Sequence, residues 1–338
     1  MKRKIITLTL CLLLSLASAC GKASDPAGNT EQYGTTTKKT EKITEQRTER
    51  KTEQKTEQKT VKSTEDRVEQ PTTEKITEPE YISPYNEEYG SAGNLEGTTL
   101  VISIVANDNS WSWAFTKEKD TEAAKTDRQF LLKHKDYLLT ACNWLTLQAS
   151  RYGKTATFIA DWELYPDLYY EATFKNDIVV VDGSKYSDQR SYILSKIPTN
   201  ELKKKYMADN VIYIFFFNTT NENQINPWSL GFISGTQYDR EIINLYTRFK
   251  TYTTRPGSYA HEMLHCFGAH DLYYAGEAIP QEYVDHLKAT DSKDIMYMVY
   301  DSDEIDLSFT ELDAYYVGLT DSCADVEKWG LTPAARFQ

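Results

Sequence analysis

Cysteine is scarce in this chain. Only five occur in 338 residues and no two of them stand in C-x-x-C spacing, so no disulfide framework is expected and at most one bridge can form. Cys142, Cys266 and Cys323 read as buried thiols. Basic charge is scarce as well: the formal net charge is −12, and residues 81–338 hold 23 Lys and Arg against 37 Asp and Glu. With no basic stripe, the folded part is expected to bind neither nucleic acid nor anionic lipid. Large apolar side chains are almost missing from residues 21–80, where "TEQRTERKTEQKTEQKT" (Thr44 to Thr60) repeats with a period near four. Such a stretch cannot bury enough surface to offset the entropy of ordering it. A lone helix is no better, because a period of four stacks Glu45, Glu49, Glu53 and Glu57 on one another, and likewise Arg47, Lys51, Lys55 and Lys59. The expected state is a flexible coil.

The N-terminus carries a mostly apolar run behind a basic start. "MKRK" is a basic start, "IITLTLCLLLSL" an apolar centre and "ASAC" a small-residue cleavage site, which together read as a secretory signal over residues 1–19. Two cleavages fit. Ala17-Ser18-Ala19 suits ordinary A-x-A processing and would release a secreted protein. Cys20 followed by Gly21 resembles a bacterial lipobox, in which Cys20 receives the lipid; Ala17 stands where a leucine is usual. The tether-like composition after Cys20 favours the second reading. The expectation is a lipidated Cys20 and a disordered linker over residues 20–90, with membrane contact through that lipid only, at a bacterial cell surface.

Residues 91–338 are read as one domain, since no linker-like stretch interrupts them. "TTLVISIVAN" (from Thr98) predicts a buried strand, and residues 121–151 predict a helix from the apolar stripe Leu131, Leu138, Cys142, Leu145 and Ala149, ended at Gly153. "TATFIADWEL" and "DIVVVDG" predict strands, "YSDQRSYILSKIP" and "NELKKKYMAD" helices, and "GFISGTQYDREIINLY" one or two short strands. "NVIYIFFFNTT" (from Asn210) is too apolar to face water on either side and predicts a central strand. Strands alternating with helices give a mixed α/β (α+β) class.

The chemistry concentrates in "SYAHEMLHCFGAHDLYY", Ser258 to Tyr274. H-E-x-x-H on a helix places His261 and His265 on one face, one turn apart, where both imidazoles can bind one Zn2+ ion. Glu262 beside the first of them can serve as general base toward water that the metal activates. With only five histidines in the chain, the spacing is improbable as an accident. Gly268 then supplies the positive φ that ends a helix sharply, after which His270 or Asp271 can swing back as third ligand. Cys266 should face away from the metal, Glu311 and Asp313 read as helix-surface charges, and the "WSWAF" cluster (Trp111 to Phe115) as core or edge packing, with a substrate cleft as the alternative.

H-E-x-x-H-x-x-G-x-x-(H/D) resembles the signature of the metzincin-type zinc peptidases. "SKDIMYMVYD" resembles their methionine turn, with Met296 in the turn position and Met298 as the alternative; "LSFTELDAYYVGLTD" (Leu307 to Asp321) resembles the helix that follows it. Counted onto this chain, the third-ligand position is Asp271, with His270 one residue out of register. Asp in that position is similar to the immune inhibitor A-like and snapalysin-like peptidases; the former carry an aromatic two residues later, here Tyr273. The metal-facing tyrosine of some members would fall on Met298, so that role has no match, and Tyr297 and Tyr300 are only nearby. The resemblance covers residues 258–321. It implies a monomeric, surface-tethered zinc metallopeptidase acting on a protein or peptide substrate bound extended along a sheet edge, for which "GFISGTQYD" is the candidate. A binding or adhesion lipoprotein on the same scaffold, and a zinc hydrolase of a non-peptide wall substrate, are the alternatives.

Overall fold

The computed structural model describes residues 93–178, 186–220, 228–229, 242–299, 302–334 and 337. The signal, Cys20, the tether, most of "DIVVVDG", the "GFISGTQYD" edge and Tyr300 lie outside these residues.

The fold is mixed α/β around a mostly parallel sheet. Its strands are β1 (Gly97–Asn107), β2 (Ala156–Ile159), β3 (Tyr169–Thr173), β4 (Asn210–Phe217), β5 (Trp228–Ser229) and β6 (Ile242–Tyr246). β4 runs parallel between β1 and β6, while β5 closes the far edge antiparallel to β6. On its other side β1 pairs first with β2 and then, further along, with β3. β3 was not anticipated. The chain leaves the sheet at Asp161, whose carbonyl accepts from the Leu164 and Tyr165 amides, makes a 3-10 turn at Pro166–Leu168, and rejoins the same edge. "TATFIADWEL" is therefore two features, a four-residue strand and a turn.

All eight residues of β4 are buried, as expected for a strand covered on both faces. Successive side chains alternate between two cores. Ile212, Ile214 and Phe216 join Val101, Val105, Ile243 and Leu245 on one side; Val211, Tyr213, Phe215 and Phe217 join Leu100, Ile102 and Ile104 on the other. The second face is covered by α3 (Tyr186–Lys196) and α4 (Thr199–Tyr206), through Ile193 and Leu202.

The first face carries α2 (Glu122–Arg151) and α5 (Pro256–Cys266), preceded by the single turn α1 (Ala114–Lys117). The Thr121 hydroxyl caps α2 by accepting the Ala124 amide, and Gly153 at φ +72° follows its end. Every residue of its predicted apolar stripe is buried. The "WSWAF" cluster is packing: Trp113 and Phe115 are buried in this core, and Trp113 Nε1 donates to the Phe216 carbonyl at 3.0 Å. A short hairpin, β7 (Arg248–Phe249) and β8 (Tyr252–Thr253), leads into α5.

Beyond α5 lie α6 (Gln281–Ala289), α7 (Glu311–Tyr316) and α8 (Ala324–Trp329). α6 and α8 were not anticipated. α7 is shorter than the predicted Leu307–Asp321 because both ends are fixed locally. Thr310 and Asp313 form a reciprocal capping box at its start, and Gly318 at φ +81° follows its end. Asp313 corrects an expectation: it is not a surface charge but is buried at 1% exposure, whereas Glu311 is exposed. Among the described residues no helix is long and apolar enough to cross a membrane.

Candidate metal centre

α5 starts on Pro256, a residue suited to the first helical turn because its missing N–H has no partner there anyway. It ends at Phe267 and Gly268, the latter at φ +109°, and the Ala269 amide closes the turn on the Leu264 carbonyl. This reversal brings residue 271 back over the helix face that carries His261 and His265. Cys266 is buried in the core, as its helix position required.

His261, His265 and Asp271 converge as a group that can hold a metal ion. The two Nε2 atoms are 3.2 Å apart, and each is 3.1 Å from Asp271 Oδ1. Tetrahedral zinc with ligand bonds of about 2.0–2.1 Å separates its ligand atoms by about 3.3–3.4 Å, so the triangle is within about 0.3 Å of a zinc-binding face.

The donor chemistry makes a second test. His261 Nδ1 lies 2.9 Å from the Ile295 carbonyl, and His265 Nδ1 lies 2.8 Å from the Ala269 carbonyl. A carbonyl only accepts, so each Nδ1 carries a hydrogen and donates it; in a neutral ring the Nε2 is then a bare lone pair. Three acceptors therefore face one another with no hydrogen between them, an arrangement that calls for a cation. The carbonyls also fix tautomer and ring orientation, the usual role of groups behind metal-binding histidines. Without a metal a proton can play the cation's part: burial pushes the Asp271 carboxyl up, but hydrogen bonds from His261 and His265, and the positive charge a protonated ring carries, more than reverse this and hold it well below the usual carboxylate range. His265 and Asp271 keep 13% and 18% of their side-chain surface exposed, so the triangle is reachable from solvent.

His270 is elsewhere. Its ring meets Tyr316 of α7 edge-on at 4.8 Å, and burial, aided by the neighbouring His265, pushes its pKa down to about 4. The geometry thus groups Asp271, not His270, with the helix histidines. Glu262 is buried beside His261 at 5% exposure. Tyr273 is half exposed and stacks against the His261 ring at 6.3 Å. Its phenol is raised by burial, then by the negative charge of Asp271 and, more weakly, of Glu262.

The segment after Lys293 forms the floor of the site. Met296 is fully buried and Met298 only half-buried; Tyr297 is half-buried against the core. Two successive carbonyls of this turn serve the site: Ile295 accepts from His261, and Met296 accepts the Leu272 amide, next to Asp271, at 2.9 Å. These backbone contacts were not foreseeable, since a carbonyl leaves no mark in the sequence. Comparison of the chain with protein-family models, curated proteins and solved structures returns no match.

Proposed function

We propose that this protein is a metzincin-like zinc metallopeptidase, tethered to a bacterial surface through a lipid on Cys20 and a disordered linker. The observation that carries the reading is an acceptor-only His261–His265–Asp271 triangle with a buried glutamate, Glu262, adjoining its first ligand. A resident zinc ion would supply Lewis acidity toward a substrate carbonyl and toward water. Glu262 takes the proton from the attacking water on its carboxylate and later returns it to the departing amine nitrogen. Carbonyls 269 and 295 keep both imidazoles in the tautomer that leaves Nε2 free of hydrogen. Asp271 lowers the charge of the loaded site by one relative to a three-histidine set.

Among the described residues, the two-residue strand β5 ends the sheet antiparallel to β6 and packs against α5. An extended peptide adding to that edge would gain backbone hydrogen bonds next to the metal triangle, which favours a peptide substrate. The test compares the purified chain with Glu262→Ala for zinc content and for cleavage of a broad peptide library. Both are expected to bind zinc. Cleavage by the variant should fall by about 10²–10⁴-fold, and a chelator should abolish the wild-type activity. Zinc with no cleavage of any peptide would point to the binding or non-peptide readings, and a wild-type protein without zinc would refute the site.

A further inference from the structure

Asp294 and Asp313 are both buried at 1% exposure. Asp294 belongs to the turn and Asp313 to the first turn of α7. The strands of chain that carry them are laced together: the Ile295 amide donates to the Ser308 carbonyl at 3.0 Å, and the Ser308 amide to the Lys293 carbonyl at 2.8 Å. Asp294 Oδ1 accepts the Met296 amide at 2.7 Å, and its backbone carbonyl accepts from Tyr297 and Met298. Asp313 Oδ2 accepts the Thr310 amide at 2.9 Å. One atom is left over: Asp294 Oδ2 is fully buried and forms no hydrogen bond with the protein; the Thr310 hydroxyl is the neutral side-chain donor that faces this carboxyl. The backbone bonds between 293–295 and 308, and the cap at Thr310, bring the Asp313 carboxyl to face that of Asp294.

Two buried carboxylates in contact cannot both be ionised, and a buried acceptor without a donor costs about 1–3 kcal/mol. One hydrogen resolves both problems. We propose that Asp294 and Asp313 act as a single positioning unit, in which Asp313 is a carboxylic acid whose hydrogen bonds to Asp294 Oδ2, and that this unit holds the 294–298 turn where its Ile295 and Met296 carbonyls align His261 and the loop of Asp271. The role toward the metal rests on the site reading given above; the shared hydrogen does not. Burial, then the charge of Asp294, raises the Asp313 carboxyl well above the usual range, and burial raises Asp294 against the opposing pull of the Met296 amide. The groups facing the pair are His261 from α5, Tyr283 from α6 and Tyr152 from α2.

A folded-state pKa above the unfolded value near 3.8 means that the folded chain binds the extra proton above about pH 4. Stability from this source is therefore full below pH 4 and declines as pH rises. Asp313→Asn presents an N–H where the acid presents an O–H and keeps an oxygen for the Thr310 amide, so it reproduces the acid form permanently. Asp313→Ala removes both.

The experiment takes the full chain as wild type, Asp313→Asn and Asp313→Ala. It measures Zn2+ affinity by titration of the metal-free protein, and denaturant unfolding from pH 4.5 to 7.5 in the presence of chelator. The His261–His265–Asp271 group is common to all three, so its titration cancels in the differences. Asn is expected to keep zinc affinity within a few-fold and to remove about one proton's worth of the wild-type pH dependence. Ala is expected to weaken zinc about 10–100-fold, the range for groups behind metal ligands. Equal pH dependence in wild type and Asn would overturn the shared hydrogen, and zinc loss in Asn as large as in Ala would overturn the positioning role. An Ala protein that binds zinc as tightly as wild type would also overturn the positioning role; should Ala fail to fold, Asp313→Ser takes its place in that comparison, and the Asn protein alone still decides the shared hydrogen. A wild type that binds no zinc would remove the site reading and the positioning role with it, while the pH difference would still report on the hydrogen.

Discussion

Two histidine groups lie on the same side of the sheet, and both involve α5, yet they do opposite things. His134 of α2 is fully buried, and its Nδ1 stands 2.6 Å from the hydroxyl of Tyr259 on α5, inside a ring of Phe130 and Tyr137. A tyrosine hydroxyl can donate or accept, so Nδ1 is satisfied in a neutral imidazole, while Nε2 is buried among the aromatic rings with no hydrogen-bond partner. Burial, reinforced by the positive charges of Arg248, Lys133 and Arg255, pushes His134 down to about 3. Two residues beyond Tyr259, His261 and His265 meet carbonyls instead. A carbonyl can only accept, and the imidazoles are left with bare Nε2 atoms turned toward a carboxylate. The difference lies in the company each ring keeps: His134 is closed in by aromatic side chains of the core, whereas the carbonyls behind His261 and His265 leave two Nε2 atoms grouped with Asp271, able to hold a metal ion.

That contrast can be broken at its strongest point by substituting the third acceptor. Asp271→Ala should lose bound zinc, while His270→Ala, whose ring packs on Tyr316, should keep it; the reverse outcome in metal analysis would move the third ligand by one residue. A smaller effect is expected at His134. Its folded pKa lies below its unfolded value of about 6.5, so the unfolded chain binds the extra proton between those values and stability falls as pH drops below 6.5. At pH 5 the loss should be about 2 kcal/mol, and His134→Gln should flatten this part of the stability-versus-pH curve in denaturant unfolding without altering zinc content. A comparable effect, about 1–3 kcal/mol, belongs to Tyr259→Phe, which deprives His134 of its partner. Zinc loss in that variant would show that the two groups are not separate.

What was legible in the sequence was what the chain determines locally. The i, i+4 spacing of His261 and His265, the break at Gly268 and the apolar stripe of α2 each depend on a few neighbouring residues, and each appears in the structure where it was read. Asp271 could be preferred over His270 only by register; the turn geometry then sorts them, one toward the imidazoles and one toward Tyr316. The unread features depend on residues far apart. Asp313 looked like a surface charge because a polar residue on a short helix normally is one. It is buried because the 292–298 segment lies against the start of α7 and brings Asp294 to it. β3 was missed because Pro166 breaks the strand pattern just before the chain returns to the edge of β1.

The central claim is that three atoms, His261 Nε2, His265 Nε2 and Asp271 Oδ1, hold one zinc ion. Crystals of the zinc-loaded protein, with anomalous scattering collected at the zinc edge, measure this directly. The account predicts a single ion on these three atoms at about 2.0–2.1 Å from each. An ion bound through His270 in place of Asp271, or no anomalous peak at the triangle, would contradict it.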